Sequence, residues 1–397
     1  MELDVLVLNT SVVDLRRPDF DFVDSLVGKG GLAKCRTEDM PTYSQDLIRM
    51  WIAQGNAKAG GQGNTAPLMA KAGLKVGVGA YLGKGNYDGL DAQGRFFYDT
   101  SKACGIDVTA LITHPTLPTG TTFIHERSGD ERGGIAYFPN ANNDFDFDVF
   151  KVHVKRLHPK IVYYMYSGLS DKGDANEGQD LADFIDWCRK KDIVTIADSH
   201  TLTGNPQKII TEGTPVTEYL LLKPLLSKVD ILFTSSDEAK IIANTLDGLP
   251  KFDKKRTNAS YLREYIFALT RRYVPYDGKT KLLGVTVSDG AYFRAYLPTS
   301  QPLGIRKVNS RFMDGATVDL VGAGDSFRAG LLTYIANNLD AFKSGKMNFY
   351  EAVQMANLFA SSYIKAPLGD RYIHIKPYKQ MLEVVRCPAS FSSLLRA

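Results

Sequence analysis

Short apolar runs, rich in β-branched residues and with little alternation, recur at Leu3 to Leu8, Lys75 to Tyr81, Ile161 to Tyr164, Ile193 to Ala197, Val229 to Phe233 and Lys281 to Val287. Such runs predict strands buried on both faces of a parallel sheet, since a strand with one wet face would alternate. Between several of them the apolar positions follow helical spacing instead, as at Leu181, Phe184, Ile185 and Cys188. Strands alternating with helices are the pattern of right-handed βαβ crossovers, so the expected fold is α/β, with three layers and a doubly wound, mainly parallel sheet.

Two stretches break the alternation, at about 16–59 and about 118–142. The second reads TGTTFIHERSGDERGGIAYFP, two strand-like runs around a polar Ser-Gly-Asp turn. Together they predict a small β-rich lid over one end of the sheet. In the first, Leu47, Ile48 and Trp51 are spaced for a helix near Ser44 to Gln54, and its apolar face has a plain structural role. One domain over 1–386 is expected, with residues 387–397, CPASFSSLLRA, as a peripheral or frayed tail.

Composition narrows the partners. Of 397 residues 44% are hydrophobic, ample for a packed core. Lys plus Arg total 48 against 44 for Asp plus Glu, with no long block of either sign, so a small molecule is expected rather than nucleic acid or a membrane. Cys35, Cys104, Cys188 and Cys387 are far apart and form no C-x-x-C pair, as structural thiols of a reducing compartment would be. No basic region precedes an apolar run at the N-terminus, and no segment stays apolar long enough to cross a bilayer; the expected location is the cytoplasm.

The segment TVDLVGAGDSFRAGLLTYIA carries the most chemistry. Val318 to Val321 are expected to end a strand and Phe327 to lie in a helix, with Gly322-Ala323-Gly324 as a turn whose backbone N–H groups converge on an anion. Asp325 stands at the helix start, where a carboxylate can accept a hydrogen bond from an attacking hydroxyl. In a loose phosphoryl-transfer transition state the alcohol proton leaves late, so such a carboxylate orients the nucleophile before taking its proton. A glycine turn with Asp as a simple cap is the competing reading. In AGGQGNTAPLMAKAG, Gly60 and Gly61 precede a helix expected from near Asn64, and glycines there let a polyol lie against the backbone while Asn64 supplies a donor and an acceptor. Asp14, after the first strand, can accept from a pair of hydroxyls. Asn and Asp at element ends are otherwise usually caps.

GGQGN followed much later by DLVGAGDSFRAG resembles the paired signatures of the ribokinase or PfkB family. The later segment matches D-[TS]-x-G-A-G-D-x-F-x-x-G except that Leu320 stands where Thr or Ser is usual. The resemblance implies a ribokinase-like fold in which Asp325 is the catalytic base and Gly322, Ala323 and Gly324 form the anion hole for the phosphoryl group of ATP, while Asp14, Gly61 and Asn64 line the acceptor site. ILFTSSDEAKII resembles the family's N-x-x-E region, with Ser235 in place of Asn and with Glu238 placed to orient magnesium-bound water. VTVSDGAYF resembles the nucleotide-lining T-x-G-x-x-G pattern, with Ser288 for the first glycine and a shorter spacing to Gly290. Asn357 lies where the family lines the adenine pocket, a structural helix-face Asn being the alternative.

Asp198 and His200, following a buried strand, are expected at the carboxyl edge of the sheet, with His200 where several family members have Asn. Arg132 is a candidate contact to an acidic or phosphorylated acceptor, or simply an exposed turn charge. The resemblance thus implies a sugar kinase using MgATP, with a lid that excludes water. The helix ahead of AGGQGN also resembles adenosine-kinase-like members, which makes a nucleoside kinase the alternative; a catalytically silent regulatory binder of a sugar or nucleotide is a third reading. A homodimer through the lids is implied as well, and Ile135 and Tyr137, read as exposed strand faces, would gain from being covered.

Three other signals fail. Gly-Lys-Thr at 278–280 lacks the first glycine of a P-loop, Tyr273 standing in its place. Gly77 and Gly79 lie inside an apolar run, and Gly83-Lys84-Gly85 opens no convincing helix, so no dinucleotide fingerprint forms. The histidines show no zinc spacing.

Overall fold

The computed structural model describes residues 2–126, 134–298 and 302–396. Arg132 and the Ser-Gly-Asp turn lie outside them. In chain order the strands are β1 (Val5–Leu8), β2 (Ser11–Arg17), β3 (Leu32–Lys34), β4 (Ala57–Gly61), β5 (Val76–Tyr87), β6 (Asp107–His114), β7 (Gly120–His125), β8 (Ile135–Phe138), β9 (Ile161–Ser167), β10 (Val194–Ser199), β11 (Ile231–Ser235), β12 (Lys281–Val287), β13 (Gly290–Tyr296) and β14 (Arg306–Asn309).

Nine of them form one sheet in the order β14-β13-β12-β11-β10-β9-β1-β5-β6, parallel from β12 to β6. β13 and β14 add an antiparallel edge. The side chains of β1 show why its sequence does not alternate. Val5 and Val7 enter one apolar cluster with Leu68, Met69 and Leu331, whereas Leu6 and Leu8 enter another with Phe150, Phe184 and Ile185. Helices therefore cover both faces, and every position of the strand is apolar. From β1 the chain runs outward through β5 and β6 on one side and through β9, β10 and β11 on the other, so the strand order reverses beside β1, where a doubly wound sheet opens a crevice at its carboxyl edge.

The lid is a separate sheet, β3-β8-β7-β2-β4. Its interior is aromatic: Phe20 meets Trp51 and Phe123 edge-on at 5.5 and 5.2 Å between ring centroids. The helix Gln45–Ala53 forms with Ser44 as its cap, Ser44 Oγ accepting from Leu47 N at 3.2 Å, and it turns Ile48 and Trp51 into this cluster.

Four expectations need correction. Val318 to Val321 form no strand; the N–H of Val318 donates to the carbonyl of Ile364 at 2.8 Å instead of to a strand, and Val318 and Leu320 are 46% and 51% exposed. The helix expected from Phe327 begins at Ala323. Ile135 and Tyr137 are buried within the single chain, facing inward beneath the lid, and offer no face for a partner. The tail is docked rather than frayed. Phe391 is 1% exposed, packs edge-on against Phe312 at 5.4 Å, and lies in the short helix Phe391–Leu394. Burial of a ring that size is worth about 3 kcal/mol, enough to order a short terminal segment. Strands β6, β13 and β14 lay outside the reading of apolar runs. β6 is partly exposed at an edge, and β13 is joined to β12 by Ser288 and Asp289 alone.

Candidate active site

Gly322 caps the helix Ala323–Asn337 at φ +89°, a left-handed conformation that glycine adopts without strain. A methyl group there would also lie 2.9 Å from the ring of Tyr363. The turn thus aims the first N–H groups of a fifteen-residue helix at one spot, with the positive end of its dipole. Farther along, Gly330 serves packing: a methyl would lie 2.7 Å from the carbonyl oxygen of Met355, so the glycine lets the helix Phe349–Lys365 approach.

Asp325, in the first helical turn, is 7% exposed. Burial pushes its pKa up to about 6, against the Tyr166 hydrogen bond, the Arg328 charge and the Asn64 amide, which favour the ionised form. Tyr166 OH donates to Oδ1 at 2.6 Å and Asn64 Nδ2 donates to Oδ2 at 3.2 Å. Tyr166, next to last in β9, has φ +64°, a strained conformation for a tyrosine, and its own N–H donates to Asp198 at 3.0 Å. Asn64 Oδ1 in turn accepts from Tyr363 OH at 3.1 Å. Tyr363 is hydrogen-bonded to Lys58 of β4, whose ammonium also lies 4.7 Å from the ring centroid. Burial lowers the Lys58 pKa to about 7. Neither Tyr166 nor Tyr363 carries a local signature; only the fold brings them to the carboxylate.

Asp325 stands where two cavities meet. The inner one lies beneath the lid and is lined by Asp14, Gly61, Asn64, Thr122, Tyr137 and Asp325 among others. Asp14 accepts from Thr122 OH at 2.5 Å, and burial raises its pKa. Its carboxylate rests over Gly60, where a methyl would come within 2.5 Å of Oδ1. Gly61, at φ +55°, caps the helix Gln62–Lys71 three residues before Asn64. Asp14, Gly61 and Asn64 are therefore brought together as expected, although both polar atoms of the Asn64 amide are engaged with protein partners.

The outer cleft has a volume of about 780 Å³ and is lined by Ser235, Glu238, Ser288, Gly322, Ala323, Gly324, Asp325 and Arg328, among others. Ser235 caps the helix Ser236–Thr245 in a reciprocal pair: its Oγ accepts from Glu238 N at 3.2 Å, while Glu238 Oε2 accepts from Ser235 N at 2.7 Å. Serine at this position thus serves as the helix cap. Gly290 and Asn357 do not line the cleft. Gly290 starts β13 at φ +139°, where a methyl would overlap the carbonyl of Val308, and Asn357 is buried in the helix Phe349–Lys365. His200 touches both cavities, edge-on to Tyr166 at 4.9 Å, and Asp198 at the end of β10 is wholly buried. Arg328 drew no attention in the sequence, being an unspecified position of the glycine signature.

Such a layout suits transfer of a phosphoryl group from a phosphate-bearing donor in the outer cleft to a small acceptor beneath the lid, the work of a small-molecule kinase. The chain belongs to the pfkB family of carbohydrate kinases, which it matches over residues 49–370, and is a phosphotransferase. Among solved structures it is similar to a PfkB protein from Polaromonas sp. JS666 (TM-score 0.60, 16% identity, covering 96% of this chain and 99% of that one). A fructokinase with bound ATP from Xylella fastidiosa gives 0.61 and 16%, covering 98% and 99%. The adenosine kinase from Schistosoma mansoni in complex with 2-fluoroadenosine gives 0.63 and 15%, covering 94% and 98%. At these identities the likeness is one of fold. No curated protein matches the sequence. Among the described residues no helix is long and apolar enough to cross a membrane.

Proposed function

We propose that the protein is an ATP-dependent sugar kinase that transfers the γ-phosphoryl group of MgATP to a hydroxymethyl oxygen of a carbohydrate in the inner cavity. The observation that carries this reading is the position of Asp325, a buried carboxylate on the boundary between a glycine-turn anion cradle and a polar cavity beneath the lid. With a pKa of about 6, Asp325 is ionised at neutral pH yet basic enough to accept the hydroxyl proton. The acceptor oxygen attacks phosphorus in line as the bond to the β,γ-bridging oxygen breaks, and its proton passes to Asp325. The N–H groups of the Gly322-Ala323-Gly324 turn stabilise charge on the phosphoryl oxygens. Asp14 holds neighbouring hydroxyls, and Gly61 leaves room for the ring.

Magnesium entering with the nucleotide phosphates supplies charge neutralisation, and it needs only one or two protein carboxylates. Glu238 and Asp237 line the cleft and fit that role. With Oε2 tied to Ser235 N, Glu238 would meet the ion through water. Ser288 is the expected nucleotide contact that does reach the cleft.

A nucleoside acceptor is the second reading, favoured by an apolar wall of Val12, Leu32, Ile135 and Leu169 along one side of the inner cavity. The polar lining by Asp14, Asn64 and Thr122 suits the hydroxyls of a sugar. ADP release with MgATP across pentoses, hexoses, keto-sugar acids, their monophosphates, inositols and nucleosides, run beside Asp325→Asn, tests both. A hit that the variant loses supports the kinase and names the acceptor class. Silence across the panel from folded, ATP-binding protein would favour the regulatory binder.

A further inference from the structure

One turn beyond Asp325 the same helix carries Arg328, at a position the glycine signature leaves unspecified. The residue is 7% exposed yet lines the outer cleft. Two contacts hold its guanidinium: Nη2 donates to the carbonyl of Phe233 in β11 at 2.6 Å, and Nε forms an ion pair with Asp198 Oδ2 at 2.9 Å without hydrogen-bond geometry. Asp198 is further held by Tyr163 OH at 2.9 Å and by the N–H of Tyr166 at 3.0 Å. The remaining nitrogen, Nη1, lies beside the glycine turn, where a methyl built on Gly324 would be 3.0 Å from it. Nη1 donates to no described residue.

An arginine present only to neutralise Asp198 has no need to face the cleft or to leave Nη1 beside the anion cradle. A guanidinium fixed in a water-poor site is well suited to the charge that spreads over the equatorial oxygens of a transferring phosphoryl group. We propose that Arg328 is a catalytic residue whose Nη1 binds an oxygen of the γ-phosphoryl group, with its contact tightening in the transition state. This rests on the kinase reading of the site. In the step it serves, the bond from acceptor oxygen to phosphorus forms, the bond to the β,γ-bridging oxygen breaks with its electron pair left on ADP, and the hydroxyl proton goes to Asp325. Arg328 exchanges neither proton nor electrons.

The test uses the full chain as wild type, Arg328→Met, Arg328→Lys and the double variant Asp198→Asn/Arg328→Met, which removes both buried charges together. Turnover is followed by ADP release, folding by Tm, and affinity for Mg-ADP and for the non-hydrolysable Mg-β,γ-imido-ATP by calorimetry. Arg328→Met should lower kcat about 10³-fold, as loss of an arginine acting on a phosphoryl group does, with acceptor KM within about threefold. Arg328→Lys should regain about tenfold of that, keeping the charge without the fork. The double variant should melt near wild type and stay as slow as Arg328→Met. Affinity for the imido analogue should fall about tenfold, one hydrogen bond to a charged group, while that for ADP holds. Recovery of wild-type turnover in the double variant, or an unchanged preference between the two nucleotides, would overturn the proposal. A wild type that binds neither nucleotide would count against the kinase reading itself, and where no acceptor is found the nucleotide comparison decides.

Discussion

On the side of Asp325 that we assign to the donor, the anion cradle is one continuous piece of chain, although Ser235, Glu238 and Ser288 reach the same cleft from other elements. Gly322, Ala323, Gly324 and Arg328 all belong to the cap and first turns of a single helix anchored in the core. On the acceptor side Asp14, Gly61, Thr122, Tyr137 and Tyr166 arrive from β2, β4, β7, β8 and β9, strands of two different sheets. Phosphate presents the same oxygens whatever the donor, so a rigid helix terminus can hold it with few side chains. An acceptor has its own pattern of hydroxyls, and its walls have to be assembled from distant parts of the chain, some of them on a lid. The two sides meet in the hydrogen bonds of one carboxylate. A relay of hydrogen bonds runs from Lys58 on the lid strand β4 through Tyr363 to Asn64, which donates to Oδ2, and Tyr166 reaches Oδ1 from the core strand β9.

The sharpest break between the sides is expected from Gly322→Ala and Asp14→Ala. The first forces a left-handed conformation on alanine and pushes its methyl against Tyr363. It should lower kcat by about 10²-fold, the cost of misplacing reacting groups by about an ångström, with acceptor KM little changed. Asp14→Ala removes a buried charged acceptor of hydrogen bonds; it should raise acceptor KM about 10- to 100-fold and leave the KM for ATP alone. Steady-state kinetics with each substrate varied in turn separates the two, and a Gly322→Ala effect confined to acceptor KM would undo the division.

The glycine turn and Asp14, Gly61 and Asn64 were legible in the sequence, whereas Gly290 and Asn357 do not line the cleft and the tyrosines were not legible, for a physical reason. A turn that needs left-handed backbone, small residues and a carboxylate at a helix start spells itself out in consecutive letters, as at Gly322 to Asp325. Tyr166 and Tyr363 are far apart in the chain, and nothing in YYMYSG or ASSYIK sets either tyrosine apart from a core residue. Ile135 and Tyr137 were read as outward because alternation shows which residues share a face, not which face meets the core. Val318 and Leu320 had the composition of a strand and no place in the sheet. Arg328 stood in plain view within the signature, but its value lies in Asp198 and Phe233, which only the fold brings beneath it.

Tyr166→Phe tests the core arm by itself. The lost hydrogen bond favoured the ionised carboxylate, so the pKa of Asp325 should rise above about 6. Activity at pH 6 should then fall about fivefold, recovering toward pH 8, as expected for an upward shift of about one unit. Rate–pH curves that superimpose on wild type would show that Tyr166 does not tune the base.

The smallest effect concerns stability. The folded pKa of about 6 exceeds the ordinary aspartate value of 3.8, so between them the folded state keeps a proton the unfolded chain has released. Stability therefore falls as pH rises from about 4 to about 6 and stays lower above that, by about 1–3 kcal/mol. Asp325→Asn should raise Tm by a few degrees at pH 8, the gain fading toward pH 4, in scans across that range. A variant less stable than wild type at pH 8 would show that the ionised carboxylate is fully compensated by its partners.

The most direct measurement is the pH dependence of kcat/KM for the acceptor, from pH 5 to 8, in wild type beside Asp325→Asn. If Asp325 takes the hydroxyl proton, the wild-type rate falls with unit slope below a midpoint of about 6, while the variant is slower by about 10² to 10⁴ and has lost that limb. A wild-type rate that is flat through pH 6, or a variant that retains the wild-type rate and limb, would contradict the assignment of the base.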